Sequence, residues 1–296
     1  MTTTIAIEES AAPAVSAGRR RLLAATINSV AIGVVVVTMV CAVLAPLLTD
    51  FEPNRASPVD RFRAWGEDGH LLGTDQLGRD IFTRLVYGAR LVWIVGLSVA
   101  MISMAVGATL GSLAGYLGGR VDAGVTRIAD GILAFPPLLL ALVLAAVMSP
   151  STRTAIFALS IVYTPLIVRV SRAAVLGERT LGYVQASKGL GNSESRTLLR
   201  HILPNVVGPL LVVGSVVVSR AIIVEASLSF LGAGTQPPNP NWGVMIADAR
   251  DLIFSRPSQL ILPAIVLSVT VLSLNLVSDA LSDRIDPRYS AKGGSR

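Results

Sequence analysis

Few side chains in this sequence are typed and spaced for covalent or redox chemistry. The chain holds two histidines, His70 and His201, and a single cysteine, Cys41. Cys41 has no second thiol with which to form an internal disulfide or a cysteine-based metal site. Neither histidine lies in the H-E-x-x-H pattern that sets two imidazoles and a general base on one helix face. No serine stands in G-x-S-x-G, the turn that exposes a nucleophile beside its base. Neither of the two lysines, Lys188 and Lys292, closes a GxxxxGK[ST] loop able to cradle phosphates. The pattern argues against an intramembrane hydrolase and against an ATPase. Two ionisable residues, Arg220 and Glu225, lie inside a long apolar run, where a charge is costly and usually faces a bundle interior or a wet cavity. Their separation places them about 140° apart around a helix, so they do not pair on one face. Arg220 can hold a carboxylate in a cavity. Glu225 suits a structural hydrogen-bonding role as well as a place on a pathway.

The elements that must position these residues follow from composition. The 296 residues are 52% hydrophobic and only 15% charged, with a mean hydropathy of +0.64, which is too apolar for an ordinary soluble domain. A hydrocarbon core about 30 Å thick takes about 20 apolar helical residues to cross. Leu22–Leu48, Leu91–Leu117, Ile156–Leu176, Val206–Leu231 and Leu260–Leu281 meet that length, and Ile132–Met148 is borderline. Six spans are expected. The third can instead be re-entrant, because Pro136 and Pro137 break its first turn. The fold class is all-α and polytopic. The first run is too long, and lacks the small-residue cleavage site, for a removed signal peptide, so it reads as a retained span.

An even number of spans puts both termini on one side. Arg19, Arg20 and Arg21 before the first span and Arg284, Arg288, Lys292 and Arg296 after the last place that side in the cytoplasm. The net charge of +6 then reflects inner loops facing anionic lipid rather than a nucleic-acid surface. Residues 1–21 are expected to be a cytoplasmic tail, 22–90 the first span with an outer loop and interfacial helix, 91–282 the membrane core, and 283–296 a second tail. His70 and His201 fall on opposite sides of the membrane and cannot share a metal.

Within the core, residues 178–205 form a polar cytoplasmic segment. It carries Gln185, Ala186, Ser187, Lys188, Gly189 and Gly191, and ends at Leu203 and Pro204. Small residues followed by glycines suit a short helix lying along the membrane, pressed closely against a partner, with Gly189 and Gly191 allowing the turn and Pro204 opening the next span. In the second span Gly107, Gly111 and Gly115 make a flat stripe suited to close helix packing. The outer stretch Gly73-Thr74-Asp75-Gln76-Leu77-Gly78-Arg79-Asp80 reads as the start of an amphipathic helix capped by Thr74 or Asp75. Arg79, Asp80 and Arg84 then form a solvated polar face rather than contact substrate. Trp242, Asp248 and Asp251 read as solvated outer-loop residues.

The spacing of Gln185, Ala186, Ser187, Gly191, Leu203 and Pro204 resembles the EAA loop of ABC importer permeases, with Gln185 for glutamate, Ser187 for the second alanine and His201 for isoleucine. The segment 73–90 resembles the GTDxxGRDxxSRxxxGxR signature of the smaller permease of dipeptide and oligopeptide importers. Glu225–Gly232, Gln236–Met245 and Asn275–Arg288 resemble further segments of that class, with Ser278 and Ser282 departing from it. The resemblance implies a type I importer permease in the cell membrane, coupled to an ATPase through residues 185–191. Its partners would be a second related permease, two ABC ATPase subunits that bind ATP and Mg, and an extracytoplasmic solute-binding protein, with no cofactor on this chain. An ion-coupled secondary transporter is the alternative.

Overall fold

The computed structural model describes residues 17–285. Residues 1–16 of the expected N-terminal tail and the Asp286-Pro287-Arg288 motif lie outside the described residues. Ten α-helices follow one another: α1 Ala17–Leu48, α2 Ile81–Leu117, α3 Gly119–Leu133, α4 Pro137–Met148, α5 Thr152–Glu178, α6 Gly182–Gly189, α7 Glu194–Thr197, α8 Leu203–Phe230, α9 Trp242–Ala249 and α10 Pro257–Ile285. Among the described residues the extended pairing is limited to one bridge, Thr74 with Asp80.

Among the described residues five helices are long and apolar enough to cross a membrane, and a bent pair of helices stands where the borderline third span was expected. Residues 119–148 form two helices, α3 and α4, bent by 90° at their junction. The expected proline break is the cause. Pro136 and Pro137 lack the N–H groups that would carry the ladder across the junction, so α4 restarts with Pro137 in its first turn. The charged stretch Arg120–Asp130, between the second and third expected spans, is helical.

The bundle is built around α5. Buried positions make up 61% of its apolar window but only 17% of that of α1, which is therefore peripheral. The glycine stripe explains how α2 reaches α5. A methyl group added at Gly107 would lie 2.6 Å from Ile167 Cβ, one at Gly111 would lie 2.9 Å from Ser171 Cβ, and one at Gly115 would lie 2.8 Å from the Arg172 carbonyl oxygen. Only hydrogen fits at these positions. The backbones approach closely enough for Ser103 Oγ to donate to Ser160 O at 3.1 Å and for the Ser112 and Ser171 hydroxyls to meet at 2.8 Å. The predicted packing stripe is thus the α2–α5 seam.

The second crossing differs from expectation at its outer end. No separate interfacial helix precedes it, and α2 runs unbroken from Ile81. Its cap is Asp80, whose Oδ1 accepts from Thr83 N at 2.7 Å while Oδ2 meets His70 Nδ1 at 2.9 Å. Asp75 instead closes the preceding loop, accepting from the N–H groups of Leu77 and Arg79.

Candidate coupling site and pathway residues

At the end of α5 the chain turns at Thr180 and Leu181 into α6, a two-turn helix with two faces. Val184 and Ser187 are buried, whereas Gln185, Ala186, Lys188 and Gly189 are exposed and Leu190 is 83% exposed. Ser187 was expected to present itself to a partner together with Ala186. It faces inward instead, its Oγ lying 3.3 Å from Thr197 Oγ1 and accepting from Asn192 Nδ2 at 3.1 Å. The three-residue step from Val184 to Ser187 puts both on the face that packs on α7. Gly191 makes the turn, at φ +77°, where an L side chain is strained. Gly189 is an ordinary helical residue, so the expected division of the turn between two glycines reduces to one. Ser193 then caps α7, its Oγ accepting from Arg196 N.

From Glu194 to Phe230 the chain forms one continuous rod, widened into a π-helical turn over Leu198–Ile202. Pro204 cannot donate into the ladder, and the wider turn just before it accommodates the ring. Asn205 Nδ2 takes up the carbonyl of His201 at 2.9 Å and also donates to Tyr183 Oη at 2.9 Å, tying α6 to this elbow. Tyr183 holds its phenol proton more tightly than usual because burial disfavours the phenolate and Glu178 accepts its hydroxyl. Leu203 is half-buried and Pro204 exposed at the foot of α8.

Two contacts that sequence reasoning passed over fasten this region to α2. Arg179 Nη1 donates to Gly115 O at 2.9 Å, and Lys188 Nζ sits 5.0 Å above the centroid of the Tyr116 ring. The exposed helix α6 thus rests on the last turn of α2, and through the glycine seam on α5. The signal in sequence was slight: an aromatic residue one position before the end of an apolar run.

Among the pathway candidates, Glu225 is fully enclosed at 0% exposure. Its carboxylate accepts from Ser229 Oγ at 2.7 Å, Thr235 Oγ1 at 3.0 Å and Asn241 Nδ2, which reaches both oxygens at 3.0 Å. Asn241 in turn caps α9 with its Oδ1. Arg220 is the opposite case. It is exposed on α8, on the side that also shows Ile223 and Phe230, and has no hydrogen-bond or ion-pair partner among the described residues. It lies about 15 Å from the Phe230 end of that helix. The structure leaves Arg220 and Glu225 on different faces, as their spacing predicted.

The outer charges are not solvated. Arg79 is 3% exposed and Arg84 1%. Arg79 bridges Asp75 at 2.6 Å and Asp248, on α9, at 3.0 Å. Arg84 Nη1 donates to the carbonyls of Pro53 and Pro238. Trp242 is fully buried, its Nε1 donating to Leu85 O at 2.9 Å beside Gly88. Asp248 belongs to this cluster, whereas Asp251 is the solvated residue it was expected to be. The solvated-face expectation failed because the outer loop folds back over the ends of α2, α9 and α10. Burying Arg79 becomes tolerable once two carboxylates flank it, whereas Arg84 leans on carbonyls and leaves its buried Nη2 without a hydrogen-bond partner.

A family model described as binding-protein-dependent transport system inner membrane component matches residues 107–291. A putative peptide transport system permease protein of Brucella suis biovar 1 is 39% identical over 274 residues, covering 93% of this chain and 92% of its own. The di/tripeptide transport system permease protein DppC of Pseudomonas aeruginosa is 40% identical over 258 residues, 84% of each chain. Among solved structures, an inward-facing MetNI methionine ABC transporter chain superposes with a TM-score of 0.57 at 16% identity, over 69% of this chain and 96% of that one. Identity so low speaks to the fold alone.

Proposed function

Since this chain belongs to the family of binding-protein-dependent transport system inner membrane components, and is a permease subunit of an ATP-driven importer rather than an ion-coupled carrier, we propose that it forms, with a second related permease, the membrane pathway for di- or oligopeptides. The substrate class rests on the names of the relatives. A solute-binding protein delivers the peptide to the outer face, and two ATPase subunits work at the inner face with no nucleotide site on this chain. Both termini lie in the cytoplasm, as the flanking arginines indicate.

The observation that carries this reading is α6, a short helix with an exposed face of Gln185, Ala186 and Gly189, held from behind by Val184, Ser187, Tyr183 and Lys188. Closure of the ATPase subunits around ATP draws α6, and its seat on Tyr116 passes the displacement to α2 and α5. The pathway opens outward to receive the peptide, and hydrolysis resets it inward. Arg220 supplies a cation on the pathway, where the peptide's C-terminal carboxylate finds a partner. Glu225 holds the outer end of α8 to α9 and takes no part in recognition.

The test is co-purification. A C-terminally tagged wild type should bring an ATPase pair out of mild detergent, and Ala186→Trp, which adds bulk to the exposed face only, should lose it while keeping its fold. Recovery of the ATPases with both proteins would remove α6 as the docking element. For Arg220, the Arg220→Gln variant should raise the KM for peptide uptake at normal expression. An unchanged KM removes it from the pathway.

A further inference from the structure

The helix α3 has a surface that neither the coupling segment nor the pathway uses. Its bundle-facing side is narrow. Ala129 is its one buried residue, and two ion pairs pin the helix to α5, Asp122 with Arg172 at 2.6 Å and Asp130 with Arg169 at 2.6 Å. The opposite half carries Arg120 and Arg127, seven residues and two turns apart on one stripe. Both are exposed, and neither has a hydrogen-bond or ion-pair partner among the described residues. Beside that stripe lie Val121, 43% exposed, and Ile128, 69% exposed. An unpaired cationic stripe flanked by bare apolar side chains is the pattern of a helix lying in a membrane interface.

Its place in the fold agrees. The exposed face of α4, Leu139, Val143 and Val147, is wholly apolar and belongs to the hydrocarbon. The 90° bend at Ala134–Pro136 turns α3 away from that direction. The pinning arginines lie near the inner end of α5, Arg172 about 30 Å along the helix from Thr152, which is the thickness of the hydrocarbon core. Thus α3 sits at the depth where acyl chains give way to headgroups.

We infer that α3 is an anionic-phospholipid site of the inner leaflet, in which Arg120 and Arg127 bind the headgroup phosphates while Val121 and Ile128 enter the acyl boundary. The choice of leaflet rests on the orientation proposed above. The site is mechanically close to the coupling helix, because α3 begins directly beyond Tyr116 and Gly118 and holds α5 a few residues before Arg179. Anionic lipid bound there steadies the end of α5 from which α6 departs.

The experiment uses the intact transporter in nanodiscs of phosphatidylcholine with a minor fraction of phosphatidylglycerol. The readout is the phosphatidylglycerol retained on release into native mass spectrometry, together with ATPase activity. Each arginine removed should lower the preference for phosphatidylglycerol about fivefold, so that Arg120→Gln with Arg127→Gln loses it about 25-fold. The corresponding pair of lysine substitutions should retain it, and activity in pure phosphatidylcholine should be equal in all three. Equal retention by wild type and the glutamine pair overturns the site. Competition by inorganic phosphate would show a free-anion site instead, and loss of the ATPase subunits from the glutamine pair would show a protein interface. Labelling of Arg120→Cys from the outer side, in a Cys41→Ala background, would reverse the orientation and leave the lipid preference standing.

Discussion

Replacing Gly111 by alanine adds one carbon and two hydrogens to a protein of 296 residues, yet the α2–α5 seam has no room for them. The new methyl would lie 2.9 Å from Ser171 Cβ and 3.0 Å from Val168 Cα, and would overlap the Val168 carbonyl oxygen. Carbon atoms need about 3.5 Å or more, so the two helices must part by roughly half an ångström to one ångström. None of the obstructing atoms is the tip of a flexible side chain, so the strain falls on two backbones. Overpacking of this kind costs about 1–3 kcal/mol, and the upper half of that range applies here. Parting the helices also stretches the Ser112–Ser171 and Ser171–Ala108 hydrogen bonds, worth about 0.6 kcal/mol each in a membrane setting. A total near 3 kcal/mol corresponds to a fall in melting midpoint of about 6–12 °C. Thermal unfolding of the purified transporter, followed by size-exclusion fluorescence, measures it. The matched control is Gly124→Ala, on α3, where the added methyl meets nothing within 4 Å and better helix propensity should leave the midpoint unchanged or higher. If both variants melt together, the stripe is not what holds α2 to α5.

The outer cluster predicts that Arg79→Met destabilises the transporter by about 3 kcal/mol, since it strands Asp75 and Asp248, with some relief because the Asp248 side chain is 32% exposed. Asp248→Asn should cost less, and the two midpoints compared in one melting series decide the point. Glu225→Gln turns one accepting oxygen into a donor that faces other donors, so a loss of about 1.5–3 kcal/mol is expected, with the KM for uptake unchanged. A shifted KM would return Glu225 to the pathway. Lys188→Met and Tyr116→Leu should each raise the ATP hydrolysed per peptide imported, and the double variant should be no worse than either single one. Additive effects would mean that the two residues act separately. Asp60 is held below the ordinary carboxylate pKa by the Ser57 hydroxyl and the Arg63 guanidinium. Its folded pKa being depressed, its contribution is present above about pH 4 and is lost as pH falls through the folded value. Emission from Trp65 in the same loop should report that acid step, and Asp60→Asn should remove it.

The crossings were legible because twenty-residue apolar runs have few other uses, and the break at Pro136-Pro137 because proline acts on the backbone regardless of context. The glycine stripe was legible for the same reason, since a missing side chain tells what may approach, though not which helix does. Ser187 shows where such reading stops. Small residues at a docking helix suit contact on either side, and only the position of Thr197, brought near by the Gly191 turn, decides that Ser187 faces inward. Arg79 and Arg84 show a larger gap. Their spacing in a polar stretch suits a wet helix face, and their partners, Asp248 and the Pro238 carbonyl, come from more than 150 residues away. Long-range ion pairs carry no local periodicity. Lys188 on Tyr116 was hidden likewise, each residue being unremarkable until the chain returns.

The length of α2 gives these two fastened ends a mechanical meaning. Its 37 residues make a rod of about 55 Å, gripped by Trp242 and the capping cluster at one end and by Arg179 and Lys188 at the other. A rod so held has little freedom to flex and responds mainly by pivoting. Tilting it by about 5° around its inner end carries the outer end about 5 Å sideways, comparable to one helical pitch. In the function proposed above, a small displacement of α6 on Tyr116 would thereby be geared up along α2 into an aperture change on the scale of a peptide's width.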